Sequence, residues 1–522
     1  MEATPTFVDL ATFMTKGLVV KPPAEYVSPS VEYDLKLGRV IETEVYKKDV
    51  DAGLRAEHLP RGILVAGGSQ EERTATNLSI IHEASKLGWN YLIVDAKKQL
   101  RKLVRLNPET RVYPSKTLCV NPLDPEDSSI PEYISLLLRL FQILWDLSNR
   151  QSIGLSEALR SVYEDSGGTP TLEDLRNALI SQTTSKLRTS NERSEIEGVI
   201  RGVTGLVLSE ESTTINGPST MPFRELTTVP TIIEISPRDQ LFSAFFKGLM
   251  IVKALATDKG KYSIFLDDAE EVFKNVRFGW RTQQVYFQES LTGWVETLKT
   301  MRVGLHLSTS LPRLVYYPVR PLLETRIIHK LTASEDIETI GDLMGLEEHA
   351  PGIHSHKRER LYQKTYFKYL RVGEAMFHRP DLPTGFPIRL EYPAAALSKP
   401  PTDQEIKTRL NELYPPKPPL PMESPPSTTL ERDLRKEAQN AAKILELLHE
   451  YPQLSLTNIV QTLKVEVDPE KLKYLTEKLK DQEYLKEILE VWKSGAKRVY
   501  SLTLKGERAL REYTESRNPR PP

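Results

Sequence analysis

A single cysteine in 522 residues, Cys119, rules out an internal disulfide and any cysteine cluster with zinc spacing. A reducing compartment fits such a chain, and the lone thiol reads as a small buried apolar residue. An excess of charge of either sign is also missing. Seventy Lys and Arg against 71 Asp and Glu give a formal net charge of −1. Nothing therefore draws the whole molecule to phosphate or to an anionic membrane, and any nucleic-acid contact has to be a local patch. No apolar run approaches the roughly 18 residues of a membrane span. The amino terminus, MEATPTFVDLATFMTKG, lacks a basic start followed by an apolar core. The expectation is a cytoplasmic protein with no membrane partner. No Ser/His/Asp arrangement and no carboxylate pair for another hydrolytic chemistry stands out. His349, His354 and His356 lie in a basic loop (HSHKRER) without a fixed fourth ligand, so no metal centre is expected there.

What is present is a globular balance, 39% hydrophobic and 27% charged, in a chain long enough for two or three domains. Residues 1–30 read as an irregular arm. From 31 to 392, short β-rich runs alternate with longer amphipathic stretches, the pattern of an α/β domain with a largely parallel sheet. The clearest strands are Gly62–Val65, Tyr91–Val94, Thr231–Ile235, Ser263–Leu266 and Val303–Leu307. A helix is expected over 74–88, stopping at Gly88, and another over 131–147, apolar nearly all round and so buried. Residues 150–225 read as a helical insertion. Residues 393–430 form a Pro-rich linker whose run 415–426 favours an extended spacer. Over 431–515, three helical stretches precede a hairpin and a closing helix. The phrase Tyr500-Ser501-Leu502-Thr503-Leu504-Lys505-Gly506 resembles the end of the wing in winged-helix domains, leaving 516–522 as a tail. That resemblance implies a third helix placed for a DNA major groove. Lys471, Lys473, Lys478 and Lys480 on this helix, with Lys493, Lys497 and Arg498 at the wing, are the DNA-binding candidates. Glu470, Glu477 and Asp481 interleave with them and limit phosphate neutralisation. A protein-interaction role for the domain is the alternative.

The chemistry-bearing motifs follow two strands. A nucleotide-binding loop has the form GxxxxGK[ST] between a strand and a helix, because backbone N–H groups cradle phosphates and the lysine neutralises them. Here the first strand runs into Gly67-Gly68-Ser69-Gln70-Glu71-Glu72-Arg73-Thr74. Gly67, Gly68, Arg73 and Thr74 are the cofactor-binding candidates. The second glycine has become Glu72, which puts a Cβ where a glycine's freedom is normally used. At about 5 Å and an effective dielectric near 20, each glutamate beside a triphosphate costs roughly 3 kcal/mol. Arg73 does not substitute freely for a lysine. An ordinary strand-turn-helix is the competing reading. A second strand ends in Asp267-Asp268. Asp267, with Thr74, would hold Mg²⁺, and Asp268 would take the place of the glutamate that polarises water, one methylene short. A third strand ends in Ser308-Thr309-Ser310, where Ser310 stands in place of a longer γ-phosphate sensor. All three positions depart from a working site in the same direction. The stretch Lys274–Arg281 interleaves bases with aromatics, a composition suited to a nucleic-acid strand or to a solvated loop.

Taken in order, these phrases resemble the HerA/FtsK superfamily, close to its HerA-type and type IV secretion ATPases. Leu37–Val40 and Leu59–Gly62 resemble the entry to such domains. Leu92-Ile93-Val94-Asp95-Ala96-Lys97 is similar to the "VIDPKGE" strand end, Val120–Pro125 to "xNPLDP", Glu324–Ile328 to the returning strand, and Leu370–Ala375 to "LxxGEA". The resemblance spans about 360 residues. It implies a RecA-like three-layer αβα P-loop NTPase core, assembled as a homo- or hetero-hexamer that moves or docks on DNA. It also implies ATP and Mg²⁺ as cofactors, here bound weakly or not at all. In such rings a neighbour's arginine completes the site, and Arg326 is the candidate. The expectation is a pseudo-ATPase that binds DNA or a related active ATPase. The alternatives are a DNA-translocating ATPase with a variant loop, and a winged-helix regulator that uses the ATPase fold to oligomerise.

Overall fold

The computed structural model describes residues 33–517 apart from 42–49, 166–168, 185–189, 258–259, 275–282, 347–363, 365, 383–384, 414–427, 435–436, 465–466 and 493–494. The amino-terminal arm, the stretch after Lys274, the three loop histidines, the proline run and Lys493 lie outside the described residues, as does the side chain of Lys497. The chain divides between Leu413 and Tyr414 into two compact units.

The first unit is organised by an 11-stranded sheet. Its strands are β1 (Leu35–Val40), β2 (Asp51–Leu54), β3 (Ile63–Ala66), β4 (Asn90–Asp95), β5 (Arg111–Tyr113), β6 (Thr231–Glu234), β7 (Tyr262–Leu266), β8 (Val303–Thr309), β9 (Thr325–Ile328), β10 (Glu374–His378) and β11 (Phe386–Leu390). The spatial order is β2-β1-β11-β10-β9-β3-β8-β7-β4-β6-β5. From β9 to β5 every pairing is parallel, while β10, β11, β1 and β2 add an antiparallel flank. All residues of β3, β7 and β8 are buried. A parallel sheet covered on both faces requires such unbroken apolar runs rather than alternation. The strand that follows the acid pair in sequence, β8, is inserted between β3 and β7. This crossover brings the ends of three strands, Ala66, Leu266 and Thr309, side by side, and open α/β sheets present ligand sites at such ends.

Helices fill the connections. The helix Gln70–Lys86 leaves β3 and is buried along most of its length. The helix Ile130–Trp145 departs from the expected all-round burial. It buries Tyr133, Ile134, Leu137, Leu140 and Phe141 and leaves Leu136 and Leu138 only partly covered. Phe141 stacks on Phe245 of the helix Gln240–Ala256, with ring centroids 5.6 Å apart. Helices Asn149–Asp165, Leu172–Thr184 and Ser190–Val207 follow before β6. Asn121 anchors the approach to them: buried, it donates to the Pro170 carbonyl at 2.8 Å and accepts from the Leu123 N–H at 2.9 Å.

The second unit has its own core. Helices Thr429–Leu434, Ala438–Glu450, Leu456–Leu463 and Pro469–Asp481 precede an antiparallel hairpin of β12 (Leu485–Trp492) and β13 (Gly495–Leu502), and the helix Leu504–Arg517 closes it. Leu445, Leu448, Leu472, Leu475, Leu479 and Tyr500 are buried together. Ser455 and Asp468 cap their helices by accepting N–H bonds, which fixes where each begins.

Close approach in the centre of the sheet leaves no room for a side chain at Gly304 of β8. A Cβ there would lie 2.5 Å from the Leu59 carbonyl oxygen and would press on Ser263 Oγ, which accepts the Trp89 indole N–H at 2.9 Å. Gly304→Ala is expected to lose about 1–3 kcal/mol of stability, the usual cost of overpacking. Urea unfolding followed by circular dichroism measures it.

Candidate nucleotide site

The turn after β3 is shorter than a phosphate-binding loop. Gly67 and Gly68 take positive φ, 75° and 62°, and Ser69 caps a helix that has already begun at Gln70. Ser69 Oγ accepts the Glu72 N–H at 3.2 Å while Glu72 Oε2 accepts the Ser69 N–H at 2.9 Å. This is the reciprocal capping box that Ser-x-x-Glu forms at helix starts. The remaining turn amides are also engaged: Gly67 N–H donates to the Thr309 carbonyl at 3.2 Å and Gly68 N–H to that of Lys330 at 2.9 Å. Glu72 Oε1 accepts from the Gly373 N–H at 3.3 Å. The strain expected from a Cβ at Glu72 does not arise, because Glu72 is an ordinary helical residue. Its carboxylate accepts the N-cap N–H of Ser69, at the helix end where negative charge is favoured. Glu71 is held below the usual carboxylate range by its own N–H and by the Ser69 hydroxyl.

Arg73 points away from any phosphate role. It is buried, and Nη1 donates to the Gly67 and Gly68 carbonyls at 3.1 and 3.0 Å while Nη2 donates to Gln70 Oε1 at 2.8 Å. Helix initiation at Gln70 turns its side chain back under the turn.

Asp267 and Asp268 leave the end of β7 as expected, but their oxygens are taken. Asp267 Oδ1 accepts from Ser308 Oγ at 2.8 Å, and Oδ2 accepts from Gln70 Nε2 at 3.1 Å and Lys97 Nζ at 3.0 Å. Lys97 Nζ also donates to Asp268 Oδ1 at 2.9 Å and Gln70 Oε1 at 3.0 Å. Burial alone would raise the Asp267 carboxyl, but the Lys97 charge and hydrogen bonds from Lys97 and Ser308 outweigh it and hold it below the ordinary range. Burial would lower the Lys97 ammonium, and the two aspartates raise it. Asp95 positions Lys97 by accepting the N–H groups of Lys97 and Leu100, each at 2.8 Å. Its own carboxyl is pushed up by burial to about 6. The space left among Gln70, Thr74, Asp95, Lys97 and Asp267 is about 10 Å³, room for about one water.

The other expected residues are dispersed. Thr74 Oγ1 accepts from Gln70 Nε2 at 3.4 Å. Ser310 is exposed just past the end of β8, and the serine that meets the acids is Ser308, two residues earlier and within the strand. Arg326 is 5% exposed, and Nη1 and Nη2 donate to the carbonyls of Leu343 and Pro321 at 2.8 and 3.2 Å. In the second unit, Lys471 pairs with Glu437 at 3.1 Å, Lys473 with Glu470 at 2.7 Å, and Lys480 with Glu477. Arg498 lies 3.4 Å from Glu487, and Lys478 sits 5.5 Å over the Tyr474 ring. Sequence reasoning gave no role to Gln70, Lys97 or Ser308. The Ser69-x-x-Glu72 spacing was the available signal for the early helix start.

The polar groups that an Mg²⁺-nucleotide would use are engaged within the chain. The three turn amides already donate to protein acceptors, both Asp267 oxygens are hydrogen-bonded, and an ammonium lies between the acids. Among the described residues no helix is long and apolar enough to cross a membrane.

Two histidines behind the turn make the unit acid-sensitive. His306 Nε2 lies 3.0 Å from Asn77 Oδ1 and His329 Nε2 2.9 Å from Thr76 Oγ1. Burial lowers His306 to about 3 and His329 to about 4. Folded pKa values below the unfolded value of about 6.5 mean stabilisation that is complete above that pH and lost as pH falls toward 4. Urea midpoints should therefore fall from pH 7 to pH 5, with a slope of up to about 1.4 kcal/mol per pH unit for each histidine. His306→Gln is expected to reduce that slope.

No family model matches the sequence, and no curated protein is detectably similar to it. Solved structures do resemble it. VirB4 of Thermoanaerobacter pseudethanolicus superposes with a TM-score of 0.52 at 12% identity, over 70% of this chain and 98% of that one. The bacterial conjugative coupling protein TrwB, in an unbound form, gives 0.49 at 14% identity, over 71% and 97%. A form of TrwB in complex with ADP and Mg²⁺ gives 0.48 at 14%, over 71% and 96%. With its parallel sheet, its β3–helix turn and its acid-tipped β7, this chain has the RecA-like P-loop ATPase fold of VirB4, as the resemblance to the HerA/FtsK superfamily implied.

Proposed function

We propose that this chain is a pseudo-ATPase of the HerA/FtsK type, which keeps the ATPase fold as a docking scaffold in a ring-type assembly with an active relative that handles DNA. The observation that carries this reading is the Ser69–Glu72 capping box. A working loop must offer its backbone N–H groups to phosphate, and here a carboxylate of the same chain takes the one at the helix start. We read the second unit as a winged helix that meets a protein partner rather than tracking DNA. On the helix Pro469–Asp481, Lys471, Lys473 and Lys480 are paired with Glu437, Glu470 and Glu477, so few phosphates would be neutralised and few counterions released.

Calorimetric titration of ATP·Mg²⁺ into the full chain, alongside phosphate release with and without DNA, is expected to be silent in both. DNA-stimulated turnover would sink the proposal in favour of a translocating ATPase with a variant site. The double variant Glu72→Gly, Arg73→Lys removes the cap and restores the loop pattern, and is expected to acquire measurable ATP binding. Duplex DNA is expected to bind weakly, with a slope of log K against log salt no steeper than about −2. Fluorescence anisotropy between about 50 and 200 mM salt measures it, and a slope several times steeper would assign the second unit to DNA.

A further inference from the structure

Lys97 answers a question that the closed turn leaves open: what neutralises two adjacent carboxylates in a half-buried site with no nucleotide. An ammonium has three N–H donors and no acceptor. At Lys97 the three donors meet three acceptors on two segments, Gln70 Oε1 at 3.0 Å, Asp267 Oδ2 at 3.0 Å and Asp268 Oδ1 at 2.9 Å. The stem is fixed at its base, because Asp95 accepts the Lys97 N–H, and only about a third of the side chain is exposed. Mg²⁺ would need near-octahedral oxygen ligands at about 2.0–2.1 Å, several of them waters. The oxygens it would use are those that the ammonium already occupies.

We propose that Lys97 is a resident cation for this site: its ammonium neutralises Asp267 and Asp268 in place of a divalent metal, and its removal turns the pocket into a divalent-cation site. The inference deepens the pseudo-ATPase reading and rests on it. Without the ammonium, Asp267 and Asp268 present two carboxylates, with the Gln70 side-chain oxygen and the Thr74 and Ser308 hydroxyls nearby as neutral oxygens. Such a hard-oxygen set suits Mg²⁺ or Mn²⁺. With the ammonium in place, a divalent ion would enter beside a fixed positive charge and would have to displace it.

The test titrates Mn²⁺, without nucleotide, into the full-length wild type and Lys97→Ala, reading bound metal by electron paramagnetic resonance and stability by thermal melting. The wild type should bind no Mn²⁺ at the site, and neither Mn²⁺ nor EDTA should move its melting temperature. Lys97→Ala should melt lower, bind Mn²⁺ at least about tenfold more tightly than the wild type, and recover melting temperature as it loads. Asp267→Asn added to Lys97→Ala should abolish the binding, and Lys97→Arg, which keeps the charge, should stay metal-inert. If Lys97→Ala does not fold, Lys97→Gln, which keeps hydrogen-bonding capacity without charge, takes its place in the same titration. A folded charge-removing variant that binds no Mn²⁺, or a wild type that binds it without nucleotide, overturns the resident-cation role and leaves the pseudo-ATPase reading standing. Wild type that takes up metal only together with ATP overturns both.

Discussion

The reciprocal cap between Ser69 and Glu72 sets the register on which the rest of the site depends. By starting the helix at Gln70 it shortens the turn to two glycines and a serine. It also places Gln70 in the first helical turn, where its amide reaches Arg73, Lys97 and Asp267 together. Arg73, three residues into the helix, falls beneath the turn and holds the Gly67 and Gly68 carbonyls. A glycine at position 72 would free the Ser69 N–H and remove the reason for the helix to begin so early. One side chain therefore decides whether the same strand-turn-helix cradles a phosphate or closes on itself.

The consequence is a turn and an acid pair that are largely satisfied from within the chain. Donors and acceptors that a working site would present to ligand are paired within the chain: turn amides with carbonyls and a carboxylate, acids with an ammonium, an amide and a hydroxyl. Buried polar groups cost free energy when left unpaired, so a site that has lost its ligand is stable only if its own residues satisfy it. The same logic extends behind the acids, where Lys247 donates to the Asp267 carbonyl at 2.6 Å and to Glu271 at 2.7 Å. These pairings tie the ends of β3, β7 and β8 together through the chain's own side chains.

Much of this was legible in the sequence, unevenly. The parallel core could be read because β3, β4, β7 and β8 are unbroken apolar runs ending in polar residues, a pattern that periodicity captures well. The positions of the turn and the acid pair followed from those strand ends. The conformation of the turn did not follow, because eight residues that align with GxxxxGK[ST] also contain Ser-x-x-Glu, and the two patterns place the helix start three residues apart. Lys97 stood in a recognisable phrase, yet its partners are 27, 170 and 171 residues away. Only the strand crossover brings them together. Ser308 rather than Ser310 meets Asp267 because β8 ends at Thr309 and Ser310 has already left the strand, and the sequence does not say where the loop takes over. Arg326 could not be judged from sequence either. Its burial depends on carbonyls of Pro321 and Leu343, supplied by irregular turns.

The central claim, that the turn is closed by its own residues, is tested most directly by amide hydrogen exchange of residues 67–74 in the full chain, with and without ATP·Mg²⁺. The account predicts that the amides of Gly67, Gly68 and Ser69 are protected without nucleotide, since each donates to an acceptor of the chain, and that ATP·Mg²⁺ leaves their exchange unchanged. Fast exchange in the free protein that slows on adding ATP·Mg²⁺ would contradict it, and would mean that the turn opens into a phosphate-binding loop.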